Sequence, residues 1–252
     1  MKKKQLIINE IIDRVSCSNT DTKYRTPLVG FANANDSFFR ELKTIINEEH
    51  YIPSDLLPNA KTVVTFFIPF DEEIVKKNLK CDTTAKEWAY GKKDAQILIG
   101  EIIDGMKVKL GEMKIGCSGN PNEEPYNQEN FMHRWSLKHM AYICGLGNFG
   151  LNQLLITESG CAGRFGSFAI DHEVEYDKPV TEPFCLYKKN KSCGICITAC
   201  PSGALTFEEV DKPKCSKWIN DITEKQFNGI RIYRTCGKCI SMPCAMKKPK
   251  LL

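Results

Sequence analysis

The stretch Cys193-Gly194-Ile195-Cys196-Ile197-Thr198-Ala199-Cys200-Pro201 decides how the last part of this chain is organised. Its C-x2-C-x3-C-P spacing matches most of a bacterial ferredoxin run that binds a [4Fe–4S] cluster. In that run the cysteine before the proline ligates a second cluster. Working outward, residues 185–252 contain eight cysteines, the number of thiolates that two four-cysteine clusters need.

The crossover order predicts which cysteines share a cluster. One set is Cys185, Cys193, Cys196 and Cys244, and the other is Cys200, Cys215, Cys236 and Cys239. The spacing departs from the ferredoxin run before Cys193 and after Cys239, although loops of these lengths still bring a thiolate to iron. Two structural zinc sites are an alternative, because C-x2-C pairs suit tetrahedral zinc. A disulfide framework is a third interpretation, but it is typical of short secreted chains.

Composition places the chain among ordinary globular proteins. Its 252 residues suit one large domain plus a small one, with 42% hydrophobic and 26% charged residues. No apolar run reaches the length of a membrane helix, and residues 1–10 are too polar for a signal-peptide core. Thirteen cysteines without such a signal predict a reducing, cytoplasmic location without a membrane partner. The net charge of +4 is mild and indicates no particular partner.

Hydrophobic periodicity predicts helices and strands that alternate along the chain. Helices are expected at residues 4–16, 36–49, 84–110 and 131–144, and strands at 62–68, 153–157 and 165–170. Asp36 is the expected N-cap of the second helix. Alternation of this kind indicates an α/β layer structure. Near residue 176 prolines and closely spaced cysteines begin. We therefore predict an α/β or α+β fold with an α/β domain at 1–175 and a ferredoxin-like, two-cluster domain at 176–252.

A second informative stretch is Cys144-Gly145-Leu146-Gly147-Asn148-Phe149-Gly150-Leu151-Asn152. Its glycines have G-x-G-x-x-G spacing, but a dinucleotide-binding loop follows a strand and opens a helix. Here a helix is expected before the glycines and a strand after them. The simplest interpretation is a tight helix-to-strand turn, and the alternative is close approach of the backbone to a flat ligand.

Residues 130–245 resemble the epoxyqueuosine reductase family, whose members are cobalamin-dependent iron–sulfur enzymes related to reductive dehalogenases. The family carries A-G-L-G-W-x-G-K-N at the end of a helix, then T-x-L-I, a glycine segment and two cluster motifs. In this chain residues 139–152, Leu155-Ile156-Thr157 and Arg164-Phe165-Gly166-Ser167 follow in the same order. The resemblance implies a reductive-dehalogenase-like domain that binds cobalamin or another corrinoid, with two [4Fe–4S] clusters feeding electrons to it.

The same resemblance implies which residues contact the corrinoid. They are Gly145, Leu146, Gly147, Asn148, Phe149, Gly150, Leu151, Asn152, Leu155, Ile156, Thr157, Arg164, Gly166 and Ser167. Asn148 and Leu151 replace the tryptophan and lysine of the family segment. The family's proton-donating aspartate has no counterpart in residues 119–126, where Glu124 and Tyr126 are the candidate donors; an exposed acidic turn is the simpler interpretation.

Two further departures shape the expected function. Family enzymes that act on tRNA usually have a helical-repeat domain after the clusters, so this short variant is expected to act on a small molecule rather than tRNA. None of the four histidines stands in a D-x-H-x-x-G motif, so no histidine of that type is expected on cobalt. The five cysteines before residue 185 lack metal-type spacing and are expected to be buried small hydrophobes.

The expected function is a cobalamin-dependent reductase. A low-potential donor of the ferredoxin or flavodoxin type would reduce the clusters, which would reduce the corrinoid, which would reduce a small substrate. Three alternatives remain: an electron-transfer protein, a reductase that activates the corrinoid of a partner protein, and a corrinoid-binding protein without a substrate of its own.

Overall fold

A three-stranded antiparallel sheet lies at the centre of the first part of the chain. The structure is a computed structural model that describes residues 2–121 and 133–249. The sheet has the order β1 (Leu28–Asn33), β2 (Thr62–Pro69) and β5 (Gly163–Ile170), and both pairings are antiparallel. Every residue of β2 is buried, as expected for a central, β-branched and aromatic strand. The layers are therefore mixed α and β, and the strands of this sheet pair without parallel crossovers.

Helices and a small hairpin complete the described ranges. The helices are α1 (Lys2–Ser16), α2 (Phe38–Ile45), α3 (Pro53–Leu56), α4 (Glu72–Lys80), α5 (Lys86–Glu112), α6 (Leu137–Ile143), α7 (Leu186–Asn190), α8 (Ile195–Thr198) and α9 (Lys212–Phe227). The hairpin pairs β3 (Gly147–Phe149) with β4 (Leu155–Thr157), and two 3-10 turns lie at Arg231–Tyr233 and Lys238–Ile240.

The two faces of the sheet bury different helices. Alternate residues of β2, including Phe66 and Ile68, pack into one core with α1 and α5. On the opposite face Val63 packs against α2 and α6, and Phe67 packs against α6 and the hairpin. A strand has a side-chain period of two, so one fully buried strand supplies both cores. This arrangement puts α6 and the glycine-rich hairpin directly against the sheet.

The cysteine-bearing residues after 176 form short helices and turns. Helices α7, α8 and α9 and the two 3-10 turns cover much of residues 186–240, and an isolated bridge joins Leu205 to Val210. The described part of this region contains no strand longer than such a bridge. Its similarity to a ferredoxin and the boundary near residue 176 remain predictions.

Most of the predicted elements are confirmed. The helices predicted at 4–16 and 84–110 and the strands at 62–68, 153–157 and 165–170 are present within a few residues of the predicted bounds. The helix predicted at 36–49 covers only Phe38–Ile45, and Ser37 occupies its N-cap while the Asp36 carboxylate accepts a hydrogen bond from the Phe38 N–H at 2.9 Å. The helix predicted at 131–144 begins at Leu137 among the described residues. In the described ranges no helix combines the length and apolarity needed to cross a membrane.

Candidate cofactor and cluster site

The glycine-rich stretch is a helix-to-strand turn, as its simplest interpretation predicted. Gly145 follows α6 in the left-handed conformation with φ of 73°, and its N–H donates to Tyr142 O while the Leu146 N–H donates to Ala141 O. These two bonds form a Schellman motif, which satisfies the last carbonyl groups of α6. The turn then leads directly into β3 at Gly147.

Gly147 is required by the hairpin itself. A Cβ atom at this position would lie 2.0 Å from the carbonyl oxygen of Ile156 on β4. Any side chain would therefore separate β3 from β4. A bulky residue at Gly147 disrupts the protein's own backbone, so it is not a selective probe of a bound ligand.

Two buried asparagines connect this hairpin to the cysteine-bearing region. The Asn148 side-chain amide donates to Glu182 O at 2.6 Å, and its oxygen accepts from the Phe184 N–H at 2.9 Å. The Asn152 side-chain amide donates to Cys239 O at 2.9 Å. Asn148 thus holds the segment that leads into Cys185, and Asn152 holds a predicted cluster ligand directly.

Further contacts attach the region after 176 to the first part of the chain. The Arg25 guanidinium donates to Met246 O and Ser159 O, each at 2.8 Å. The buried Asn78 amide donates to Cys236 O at 3.1 Å and to Ser241 Oγ at 2.9 Å. The backbone carbonyls around two predicted ligands are therefore fixed by residues far away in sequence.

Electrostatic contacts among the thiols separate the eight cysteines into two groups. Burial, followed by the neighbouring Cys244, Cys185 and Cys193 thiols, raises the pKa of Cys196 to about 11. Burial likewise raises the pKa of Cys239, followed by the effects of Cys236, Cys215 and Cys200, with Cys196 last. Each thiol is affected most strongly by the thiols nearest to it, so Cys196 has Cys244, Cys185 and Cys193 as its main thiol neighbours and Cys239 has Cys236, Cys215 and Cys200. These neighbours are the partners that the crossover order predicts, and the binding of a cluster by either set remains a prediction.

Two residues near these groups were missed in the sequence. Cys161, which is buried, has its Sγ 3.7 Å from Cys244 Sγ, and its N–H donates to Cys244 O at 3.0 Å. Trp218 on α9 has a buried indole Nε1 without a hydrogen-bond partner in the described ranges. It lies beside Cys236, where burial raises the thiol's pKa and the indole N–H opposes that shift. Neither residue has metal-type spacing, so no pattern signalled its position.

The thiols are not arranged for a single metal ion. All thirteen cysteines lie in the described ranges and all are free thiols. Within those ranges, no three or more His, Cys, Asp or Glu side chains form a group that would hold one metal ion. Cluster ligation and its zinc alternative therefore remain predictions. Of the five earlier cysteines, Cys144 and Cys161 are buried as expected, whereas Cys17 is exposed.

Most predicted corrinoid contacts are already packed within the protein. Leu155, Ile156 and Thr157 are at most 2% exposed, and Ser167 accepts a hydrogen bond from Thr65 Oγ1 at 3.1 Å. Partly exposed positions in the predicted set include Phe149, Leu151 and Arg164. The candidate proton donors Glu124 and Tyr126 lie outside the described residues.

The histidines near the hairpin are held neutral. Burial lowers the pKa of His139 to about 4, with smaller effects from Lys138 and His50, and its Nδ1 lies 2.8 Å from Ser136 Oγ. His50 receives the Ser136 N–H on Nε2 at 3.1 Å, so its Nδ1 donates to Tyr51 O at 2.8 Å. This pair of bonds selects one neutral tautomer of His50.

Comparison with known proteins shows the fold. No protein-family model matches the chain, and no curated protein matches it. Epoxyqueuosine reductase from Streptococcus thermophilus is similar over 98% of this chain and 68% of its own length, with 18% identity and a TM-score of 0.57. An epoxyqueuosine reductase solved with a tRNA-Tyr stem loop is similar over 96% of this chain and 66% of its own length, with 18% identity and a TM-score of 0.60.

The reductive dehalogenase NpRdhA, solved with 3-bromo-4-hydroxybenzoic acid, is similar over 97% of this chain. Only 36% of that chain is matched, with 16% identity and a TM-score of 0.59. The chain therefore spans about two thirds of the reductases and about a third of the dehalogenase. It has an epoxyqueuosine reductase-like fold, which confirms the resemblance read from residues 130–245 at the level of the fold.

Proposed function

We propose that this chain is a corrinoid-dependent reductase in which two [4Fe–4S] clusters pass electrons to a bound corrinoid, which reduces a small substrate. One observation carries the proposal. Cys196 and Cys239 each have as thiol neighbours the partners that the crossover order predicts, and asparagines of the glycine-rich hairpin hydrogen-bond to both cysteine-bearing segments. In a reductase-like fold, these hydrogen bonds would hold the proposed electron carriers beside the predicted cofactor wall.

The residues present fit two clusters. One set of four thiols would hold the first cluster and the other set the second, in the order predicted from the sequence. The buried Trp218 N–H lies beside Cys236 and opposes the rise in the pKa of its thiol; an N–H group near a ligand sulfur is a normal way to tune such a cluster, so its position supports this assignment. When bound, the clusters would supply one-electron carriers.

The residues present fit a corrinoid at fewer points. Phe149 and Leu151 offer partly exposed apolar surface, and Arg164 has a buried Nε without a partner. A corrinoid, with its apolar ring and polar side groups, matches that combination. When bound, it would supply a cobalt centre able to accept electrons and reduce a substrate. We retain cobalamin or another corrinoid as the proposed group.

The chain's own residues limit how protons are supplied. Because the pKa of His139 is about 4, its imidazole is neutral at pH 7 and is a poor acid. His50 is committed to two hydrogen bonds that fix its tautomer. Among the candidates, Glu124 and Tyr126 therefore remain the proposed donors, with the solvent as the alternative source.

The partners follow from the same proposal. An external donor of the ferredoxin or flavodoxin type would reduce the clusters in a reducing, cytoplasmic environment. A small molecule is the proposed substrate, although one similar reductase was solved with a tRNA stem loop, so tRNA is not excluded.

Anaerobic reconstitution tests the clusters. The purified protein should contain about eight irons and eight sulfides per chain. Cys200→Ser should damage the cluster that also uses Cys215, Cys236 and Cys239, and Cys196→Ser should damage the other, as separated by paramagnetic resonance of the reduced protein. Stoichiometric zinc without iron would contradict the proposal. If Cys200→Ser removed only the signal of the cluster that uses Cys196, the predicted crossover assignment of the cysteines would be wrong.

Absorption spectroscopy tests the corrinoid. Anaerobic protein mixed with cobalamin should shift the cobalt absorption bands, and the shift should persist in His133→Ala, His139→Ala and His172→Ala. The absence of binding to any corrinoid would instead favour an electron-transfer protein or an activator of a partner's corrinoid. The internal packing of Leu155, Ile156 and Thr157 favours that second candidate. Substrate turnover by the isolated protein with a reductant would separate an enzyme from a carrier.

A further inference from the structure

Arg164 is a cation that the protein leaves without a hydrogen-bond partner at its buried nitrogen. It lies on β5, opposite Ile68 of β2, so its side chain starts on the face of the sheet that α5 covers. Its Nε is buried and has no hydrogen-bond partner within the described ranges. A buried guanidinium N–H that lacks an acceptor is costly, because the group has lost water without replacement.

Lys92 places a second positive charge beside it. This residue is partly buried on α5, and its Nζ donates to the backbone oxygen of Ile232 at 2.8 Å. Burial lowers the pKa of Lys92 to about 8, and Arg164 contributes the largest repulsion, followed by Arg234 and Arg231. Lys92 on α5 thus has Arg164 on β5 as its strongest like-charged neighbour, and Arg234 and Arg231, near the Ile232 carbonyl that accepts its hydrogen bond, as weaker ones.

The described parts of the chain provide no acidic partner for the two central cations. Neither Arg164 nor Lys92 takes part in an ion pair of the described ranges. Arg234 donates from its Nε to Asn220 and from one terminal nitrogen to Ser216, and both of these partners are neutral. Arg164 and Lys92 are like charges for which the described residues provide no counter-charge, and their repulsion destabilises the fold, so these two side chains are suited to an anion that arrives from outside.

We propose that Arg164 and Lys92 form a binding site for a carboxylate or phosphate group of a small ligand. A guanidinium binds such a group with two parallel hydrogen bonds, and an ammonium adds a point charge. The ligand's anionic group would remove the repulsion between the two cations and provide an acceptor for Arg164 Nε. The site is independent of cluster binding and of turnover, because it depends only on these side chains.

Two sources would supply the same chemistry: the phosphate in the nucleotide tail of a complete corrinoid, or an anionic substrate. Binding of cobalamin, of cobinamide (which lacks that tail) and of inorganic phosphate separates them. Arg164→Gln should lower the affinity for the anion that binds here by roughly tenfold or more, which is the usual effect of losing a charge-assisted hydrogen bond. If the site binds the tail phosphate, Arg164→Gln should bind cobalamin more weakly than the natural protein does and should bind cobinamide equally well. If a substrate anion is bound, both corrinoids bind normally and phosphate binding is lost.

Matched variants keep the experiment independent of folding. Arg40→Gln removes the same charge from an exposed site, and Lys93→Gln removes a charge one residue along α5 from Lys92; neither should change anion affinity. Ligand-free Arg164→Met should unfold at a temperature higher by about 2 °C or more, since an unsatisfied buried cation is removed. Phosphate should raise the unfolding temperature of the natural protein but not of this variant, with chloride at equal ionic strength as the reference.

Two results would overturn the proposal. The first is that Arg164→Gln and Lys92→Gln bind phosphate, cobalamin and cobinamide with the same affinities as the natural protein. The case in which none of these ligands binds to any of the three proteins counts as the same result. The other is a large loss of stability in ligand-free Arg164→Met, which would show that Arg164 is paired within the chain. Because binding and unfolding are measured without substrate turnover, failure here leaves the proposed reductase function unaffected, and failure of that function leaves this site testable.

Discussion

Two partly buried bases, Lys92 and His139, have pKa values lowered mainly by burial, and each makes the stability of the protein depend on pH over its own range. A folded-state pKa below the unfolded value means that the unfolded chain binds the proton more readily. The stability that such a base contributes in its neutral form is therefore lost as the pH falls. Lys92 belongs to the proposed anion site and the His139 ring packs against Phe149, so their titrations report on two different parts of the molecule.

For Lys92 the window lies above neutral pH. Its pKa is about 8 in the folded protein and 10.5 as an ordinary lysine, so stability should rise between pH 8 and pH 10.5. Lys92→Met should remove that rise and should be more stable than the natural protein at pH 7, because the buried charge is gone. Urea unfolding across this pH range measures the effect. The free energy of unfolding of Lys92→Met could instead rise with pH as steeply as that of the natural protein and of the control Lys93→Met. That result would show that the pKa of Lys92 is not lowered.

For His139 the window is acidic. With a pKa of about 4 against an ordinary 6.5, the protein should lose stability as the pH falls from 6.5 to 4. His139→Phe should flatten this part of the profile, since an aromatic ring retains the contact with Phe149, whose ring centroid is 4.8 Å away. Nuclear magnetic resonance should also show the His139 ring titrating well below His172. Titration of the two rings at the same pH would contradict the expected burial effect.

At the scale of elements, the hairpin of β3 and β4 depends on close contact of two backbones. Phe149 pairs with Leu155 and Gly147 pairs with Thr157, so three residues in each strand hold the turn together. A hairpin this short is marginal by itself. Its stability comes from packing against the sheet through Leu146 and Leu155 and from the bonds of Asn148 and Asn152 to the cysteine-bearing region.

Two glycines should therefore respond in opposite ways to alanine. Gly147→Ala should destabilise the protein by at least about 2 kcal/mol, because its Cβ would overlap Ile156 O. Gly100→Ala on α5 meets no atom within 4 Å and should stabilise by about 0.4–1 kcal/mol. Chemical unfolding of both variants measures the difference. Equal effects at the two positions would mean that the close contact at Gly147 does not exist.

At the scale of the whole molecule, the region after 176 is bonded to the first part of the chain at several separate points. Asn78 is fully buried and bonds to Cys236 O and Ser241 Oγ, and its own oxygen accepts from the Ala85 N–H at 3.0 Å. The Lys238 ammonium reaches back to the carbonyl groups of Asn78 and Cys81. Such contacts couple the folding of the two parts.

Removal of one of these contacts should affect the entire protein. Asn78→Ala leaves three polar partners without their bonds and should cost at least about 2 kcal/mol, whereas Asn9→Ala on the exposed side of α1 should cost less than about 0.5 kcal/mol. Unfolding followed by tryptophan fluorescence and by circular dichroism should remain a single transition. Two separate transitions would show independent domains, and would support the boundary predicted near residue 176.

How far the sequence predicts this protein differs from one feature to the next. The buried strand Thr62–Pro69 and the long helix Lys86–Glu112 were predicted because their apolar patterns are strong and local. The starts of the helices near Asp36 and at Leu137 were not predicted correctly, because a helix end depends on capping contacts that hydrophobic periodicity does not show. The glycines of residues 145–150 were predicted as a turn. The contact that makes a glycine necessary at position 147, with the carbonyl oxygen of Ile156, could be identified only from the tertiary structure.

By itself the sequence determined the number and spacing of the eight cysteines, the helix-to-strand turn and the resemblance to a reductase fold, because spacing and side-chain type carry those signals. Only the tertiary structure decided which residues surround the thiols and which charges meet. Cys161 lies beside Cys244, and Lys92 beside Arg164, across long stretches of chain. Such neighbours follow from how the sheet, α5 and the cysteine-bearing region pack, and packing depends on the sum of many long-range contacts rather than on any local pattern.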